Sequence, residues 1–193
     1  MDYHVHNFSI PIFQFRLDNW KEKKEKIMSF YPSDSELRYT GEVATDFTAN
    51  LPSVKRRGEI VDIFAPELTE VMHTMGAEGW HVKQPWFEVA KKGDFHGPHT
   101  HGPIGMSAVC YVEFNKYEHT PTIFAPPFAD IFNSLTPTYA PDADEGTLVV
   151  FPAHLLHWTE RNGSEQRRVA VSFNIDMSVG GVANTVQTIN FND

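Results

Sequence analysis

Cysteine is nearly missing from this chain: Cys110 stands alone among 193 residues, so no disulfide can close within it, which favours a reducing compartment. That cysteine lies in the apolar run Ser107-Ala108-Val109-Cys110-Tyr111-Val112, where a buried structural thiol is expected rather than a nucleophile. Positive charge is also scarce. Sixteen Lys and Arg against 25 Asp and Glu leave a net charge of −9, and no stripe of cations exists to neutralise phosphates, which argues against nucleic acid as a partner. Nowhere do eighteen apolar residues run together, and Met1-Asp2-Tyr3-His4 lacks the basic start and apolar stretch of a signal peptide. The expectation is a cytoplasmic protein with no membrane partner, of a length that suits one domain over residues 1–193.

What the chain has in quantity is turns and aromatic packing: 13 Pro, 12 Gly and 15 Phe suggest many short strands. An opening strand is expected over 8–17. Asp18 is placed to cap a helix whose apolar positions are Leu17, Trp20, Ile27 and Tyr31, ended by Pro32. The charged run from Lys21 to Lys26 then reads as its solvated face. Residues 33–58 are polar without a clear period and read as a long loop or cover. Leu68, Val71, Met72 and Met75 mark one face of a second helix from near Pro66 to Gly76, with His73 on the surface. From Trp80 onward strands are expected over 81–91, 99–114, 120–125, 146–151, 155–160 and 166–176, with a weaker one near 184–191. Helices before a run of strands predict a mainly β fold, a sandwich or barrel with N-terminal helices packed outside (1–79) and a β core (80–193).

Five of the ten histidines fall in two windows, His96-Gly97-Pro98-His99-Thr100-His101 and His154-Leu155-Leu156-His157. Along one extended strand His99 and His101 would point the same way. A third imidazole from the distant window would complete a three-sided metal site with open positions. His4-Val5-His6 has the same spacing but no glycine-proline approach and no partner motif. Arg168, Ala170, Ser172 and Asn174 share one strand face while Arg167 points to the other, so Arg168 offers a fixed charge that can grip a carboxylate through two parallel hydrogen bonds.

The motifs around these residues are more specific than the residues alone. Trp86 leads through Gly93 to His99 and His101, then to Ser107, Val109 and Tyr111; Gly146 precedes Phe151-Pro152, with His157 five residues past that proline; Arg168 is followed without a gap by Ser172-Phe173-Asn174. Together these resemble the 2-oxoglutarate and iron(II)-dependent oxygenase family common in bacteria and aquatic phages, over roughly 80–176. The resemblance implies a double-stranded β-helix, a jelly-roll, cupin-like sandwich with the metal in its mouth. It implies Fe(II) held by His99, His101 and His157, and 2-oxoglutarate chelating the metal while Arg168 pairs with its far carboxylate. Ser172 and Asn174 would help hold that co-substrate, and O2 would be the oxidant. The activity implied is oxidative decarboxylation of 2-oxoglutarate coupled to hydroxylation of a small-molecule or peptide substrate.

One departure stands out: many oxygenases of this broader class use two histidines and a carboxylate, and here the acidic position holds His101. Asp94 is the nearest carboxylate that could replace it, on an approach turn five residues before His99. His96 is expected to line the mouth, and His154 to sit in a turn. A cupin-type metal protein without 2-oxoglutarate is the rival reading, since Gly93, His99, His101, Gly146, Pro152 and His157 fit much of its two motifs, although the glutamate expected after His-x-His is absent. A structural β sandwich with incidental histidines is the third. An exposed strand edge would permit a homodimer.

Overall fold

The computed structural model describes residues 9–47, 49, 58–130 and 134–178. Its elements in chain order are β1 (Phe13–Arg16), α1 (Trp20–Met28), β2 (Arg38–Tyr39), β3 (Ala44–Thr45), α2 (Gly58–Thr74), β4 (Gly79–Val82), β5 (Trp86–Ala90), β6 (His96–His99), β7 (Met106–Glu113), β8 (Ile123–Ala125), β9 (Thr147–Pro152), β10 (Leu156–Thr159) and β11 (Arg168–Ser178). An eight-stranded antiparallel sheet runs β1-β9-β7-β11-β5-β3-β2, with β4 also pairing β11. A smaller sheet runs β6-β10-β8. This is the mainly β, two-sheet architecture expected.

Alternation along the central strands explains how the sheets and helices stack. Ala108, Cys110, Val112, Leu148, Val150 and Val171 share one buried cluster with Phe64 and Leu68 of α2 and Ile27 of α1. Their neighbours Val109, Tyr111, Val149, Phe151 and Ala170 turn the other way and meet Phe124 of the small sheet. Period-2 strands buried on both faces thus leave helices outside and a second sheet inside. Phe64 stacks on Phe173 with ring centroids 5.4 Å apart. No helix among the described residues is long and apolar enough to cross a membrane, and Cys110 is buried and free.

Several sequence expectations are corrected. The strand expected over 99–114 is two, because Gly102 and Gly105 take φ of 111° and 88° between them; His101 therefore lies in the connecting turn, not on a strand with His99. The strand expected over 81–91 breaks before β5 at Pro85, which has no N–H to give a ladder. The polar stretch 33–58 contains the β2–β3 hairpin, which pairs with β5. Helix α2 begins at Gly58 rather than near Pro66. The proline sits inside it, and the buried face Ile60, Ile63, Phe64, Leu68, Val71 and Met72 continues on both sides, so packing outweighs the lost backbone bond. Met75 falls beyond the helix and is exposed, as His73 is. Asn19 in a left-handed conformation, not Asp18, begins α1, with no side-chain cap, and Leu17 and Tyr31 flank that helix. The first strand shortens to Phe13–Arg16. The strand expected near 184–191 and the pair His4 and His6 lie outside the described residues.

Candidate metal centre

Strand pairing, not strand parity, assembles the histidines. In the small sheet β10 runs antiparallel to β6 with His157 directly opposite His99. His101, just past β6, is swung back by its own backbone, whose N–H donates to the Ala153 carbonyl at 2.8 Å. Glycine is required at 105: a β-carbon there would stand 2.5 Å from the Ile175 carbonyl oxygen. The result brings one nitrogen from each of His99, His101 and His157 within 4.8 Å of the others, a group that could hold a metal ion.

Hydrogen bonds decide which nitrogens face the centre. His99 Nδ1 meets the Gly97 carbonyl and His157 Nδ1 the Leu155 carbonyl, each at 2.8 Å, so each Nδ1 carries the proton and each Nε2 keeps a lone pair. His101 Nε2 lies 3.2 Å from His157 Nε2. Burial pulls the pKa of His101 down to about 4 and that of His157 to about 3, and lowers His99 as well. All three are therefore neutral imidazoles at pH 7, the form that binds a divalent ion. Without a metal, His101 Nε2–H can donate to His157 Nε2 across that distance, and a divalent ion would take the place of that proton, so the donor set fits a first-row metal with open positions.

Beside the triad a narrow cavity leads inward past Val109, Thr122 and Thr159 to Arg168. Arg168 is 6 % exposed. Its guanidinium donates to the Thr120 carbonyl (2.9 Å) and to Thr159 Oγ1 (2.7 Å), and it forms no ion pair among the described residues. Burial pulls its pKa down, opposed by Tyr111 and Glu88. Tyr111 lines the same cavity, its hydroxyl accepting from the Thr122 N–H at 2.9 Å. A fixed positive charge thus closes the far end of the cavity.

On the other side a wider cleft of about 400 Å³ opens next to His99 and His101, walled by Thr45, Phe47, Trp86, Glu88 and Asn174. Glu88 accepts from Trp86 Nε1 at 3.0 Å and lies 3.4 Å from His96 Nδ1. Burial works against its charge, but the His96 contact outweighs it and holds the carboxyl at about 2. For His96 burial lowers the pKa, and the Glu88 bond more than reverses this. The His96 ring stacks on His99 with centroids 4.0 Å apart.

Of the residues expected at the site, His99, His101, His157, Arg168 and Ser172 border one connected space. Asn174 does not join Arg168; it accepts from Ser107 Oγ at 2.8 Å and borders the outer cleft. Asp94 stands apart from the triad, bonded to the Lys91 N–H and the Tyr39 hydroxyl. His96 lines the mouth as expected, and His154 is exposed. Phe95 packs under Arg161. Sequence reasoning missed Glu88 and Thr159, yet alternation pointed to both: Glu88 is two residues from Trp86, and Thr159 two from His157.

Residues 84–174 match the family model described as "Putative 2OG-Fe(II) oxygenase". No curated protein sequence matches the chain. Among solved structures, an oxidoreductase of the 2OG-Fe(II) oxygenase family from Burkholderia pseudomallei is similar with a TM-score of 0.62 at 11% identity, covering 86% of this chain and 84% of that one. The viral collagen prolyl hydroxylase of Paramecium Bursaria Chlorella virus-1, in complex with 2-oxoglutarate, gives 0.58 at 13% identity over 87% and 96%. HygX from Streptomyces hygroscopicus, with nickel, 2-oxoglutarate and hygromycin B bound, gives 0.60 at 11% over 86% and 83%. At these identities the likeness is one of fold, the double-stranded β-helix.

Proposed function

We propose that the chain, whose residues 84–174 match the model of the 2-oxoglutarate and iron(II)-dependent oxygenase family, is an oxygenase of that kind and oxidises an organic substrate at the expense of 2-oxoglutarate. His99, His101 and His157 hold the iron, and Arg168 holds the co-substrate. With iron(II) bound, the site supplies conversion of 2-oxoglutarate and O2 to succinate and carbon dioxide, with one oxygen atom passing to a C–H bond of the substrate. The protein's own share is positioning and exclusion. The Gly97 and Leu155 carbonyls hold the His99 and His157 protons on Nδ1, so both present Nε2. Arg168, fixed by Thr120 and Thr159, turns its charge toward the far carboxylate of the co-substrate, with Ser172 bordering the space between. Asn174 lies on the substrate side. Apolar Val109 and Phe151 keep water from the reacting end.

The observation that carries this reading is Arg168. A guanidinium buried to 6 % exposure with no ion pair among the described residues, Glu88 bordering the same cavity without contacting it, is costly, and the cost is recovered when an anion enters the cavity. A cupin reading has no use for that charge. We read 1–193 as a single such unit, and the lone buried Cys110 suits a cytoplasmic setting. Purified protein supplied with iron(II), ascorbate and 2-oxoglutarate is expected to form succinate in an iron-dependent way. Protein that takes up neither metal nor 2-oxoglutarate contradicts the proposal.

A further inference from the structure

The outer cleft states what kind of substrate fits beside the iron. It contains no Lys or Arg among its lining residues, and its one ionisable acid is Glu88, placed between the aromatic wall and the triad. Phe47 meets Trp86 edge to face with centroids 4.7 Å apart, and Trp86 lies 5.9 Å from His101, so rings line the way from the surface to the metal. Trp86 is buried, yet Phe47 remains 53% exposed. An apolar ring left bare at the lip of a cleft has contact area to give to a ligand. The cleft continues past Thr40, Thr45 and Phe47 into a second hollow bordered by Arg38 and Tyr39, which leaves room for a body longer than a single ring.

Charge settles the inner end. Glu88 accepts one hydrogen bond from Trp86 and a long contact from His96, while an ionised carboxylate has about four acceptor sites. Glu42 adds a second negative charge behind it, its carboxylate accepting from the Gly97 N–H at 2.8 Å. Glu88 also borders the inner cavity and lies 3.4 Å from His96, but Arg168 there is engaged by Thr120 and Thr159 and, on the oxygenase reading, by the co-substrate, and Arg38 stands out in the second hollow. An anionic group beside the triad would therefore meet Glu88 and Glu42 without a lysine or arginine of the cleft's own lining to receive it. Resting on the oxygenase reading above, we propose that the primary substrate is an organic cation, a protonated amine on a flat apolar body, with the ring against Phe47 and Trp86 and the ammonium at Glu88.

Three probes of one shape test this: phenethylamine, 2-phenylethanol and 3-phenylpropionate, titrated calorimetrically with zinc(II) and 2-oxoglutarate in excess so that the Arg168 cavity is filled. The amine is expected to bind most tightly and the carboxylate least, the two differing by about tenfold as a partly exposed charge pair would give. Glu88→Gln should erase the amine's advantage over the alcohol, whereas Phe47→Ala should weaken amine and alcohol by the same factor. A carboxylate that binds as well as the amine overturns the proposal, and so does an amine advantage that survives Glu88→Gln. If Glu88→Gln fails to fold, the wild-type order and Phe47→Ala decide. Metal and 2-oxoglutarate uptake measured on the same wild-type sample separate the two readings: full uptake without amine preference overturns the substrate class alone, and no uptake overturns the oxygenase reading.

Discussion

Three neutral imidazoles and one buried guanidinium carry most of the chemistry, and each lends itself to a substitution with a defined outcome. His101 occupies a position where a carboxylate would serve equally well as a donor, so His101→Asp should keep iron uptake while His101→Ala loses it. The loss should exceed the about 10–100-fold that a missing outer partner costs, measured by metal content after dialysis. Arg168 sets function against stability. Arg168→Met should weaken 2-oxoglutarate binding by about 2–5 kcal/mol, the usual cost of truncating a buried charge partner, yet leave the ligand-free protein as stable as the wild type or more so, because a buried charge with no ion pair among the described residues is replaced by apolar volume. Calorimetric titration and thermal melting read the two effects separately. Motif spacing singled out His99, His157 and Arg168 from the sequence. Glu88 was missed although alternation places it on the face of Trp86, because the role of a lone acidic residue in an apolar strand shows only once the cavity it faces is known.

At the level of elements, what the sequence revealed and what it hid divide along physical lines. Doubly buried strands such as β7, β9 and β11 stand out because their central positions, 106–112, 147–152 and 169–173, are apolar or small. The β2–β3 hairpin stayed hidden, since two short polar strands with exposed or half-buried residues leave no period to read. The same blindness explains His101. Two glycines with positive φ lie between β6 and β7, so that histidine reaches His99 and His157 from a turn held by Ala153, and not by parity along one long strand. That turn makes Gly105 structural: Gly105→Ala places a left-handed conformation and a contact with the Ile175 carbonyl on an L-residue, and should cost about 1–3 kcal/mol. Gly163, whose added β-carbon meets nothing within 4 Å, is the control and should change stability by less than about 0.5 kcal/mol. Urea denaturation midpoints compare them, and iron uptake should fall in the first variant only.

For the molecule as a whole, the two-sheet design explains why the site is where it is. The large sheet spends one face on the helices, and its other face supplies Arg168 and Ser172 to the space in front of the small sheet. The small sheet supplies His99 and His157, paired across β6 and β10. The proposed metal ligands and the proposed anion anchor thus come from opposite walls, with the gap between them left for the reaction. This architecture was readable in advance because strands dominate after Trp80 and three linked motifs fall on them; the shape of the substrate cleft was not, because its outer wall comes from the hairpin before α2. The most direct test of the account is an anaerobic titration of 2-oxoglutarate into protein with and without iron(II), in wild type and Arg168→Met. The account predicts one iron and one 2-oxoglutarate per chain, with co-substrate binding that needs the metal and is weakened by loss of Arg168. Binding that ignores both the metal and Arg168, or no iron binding at all, would contradict it.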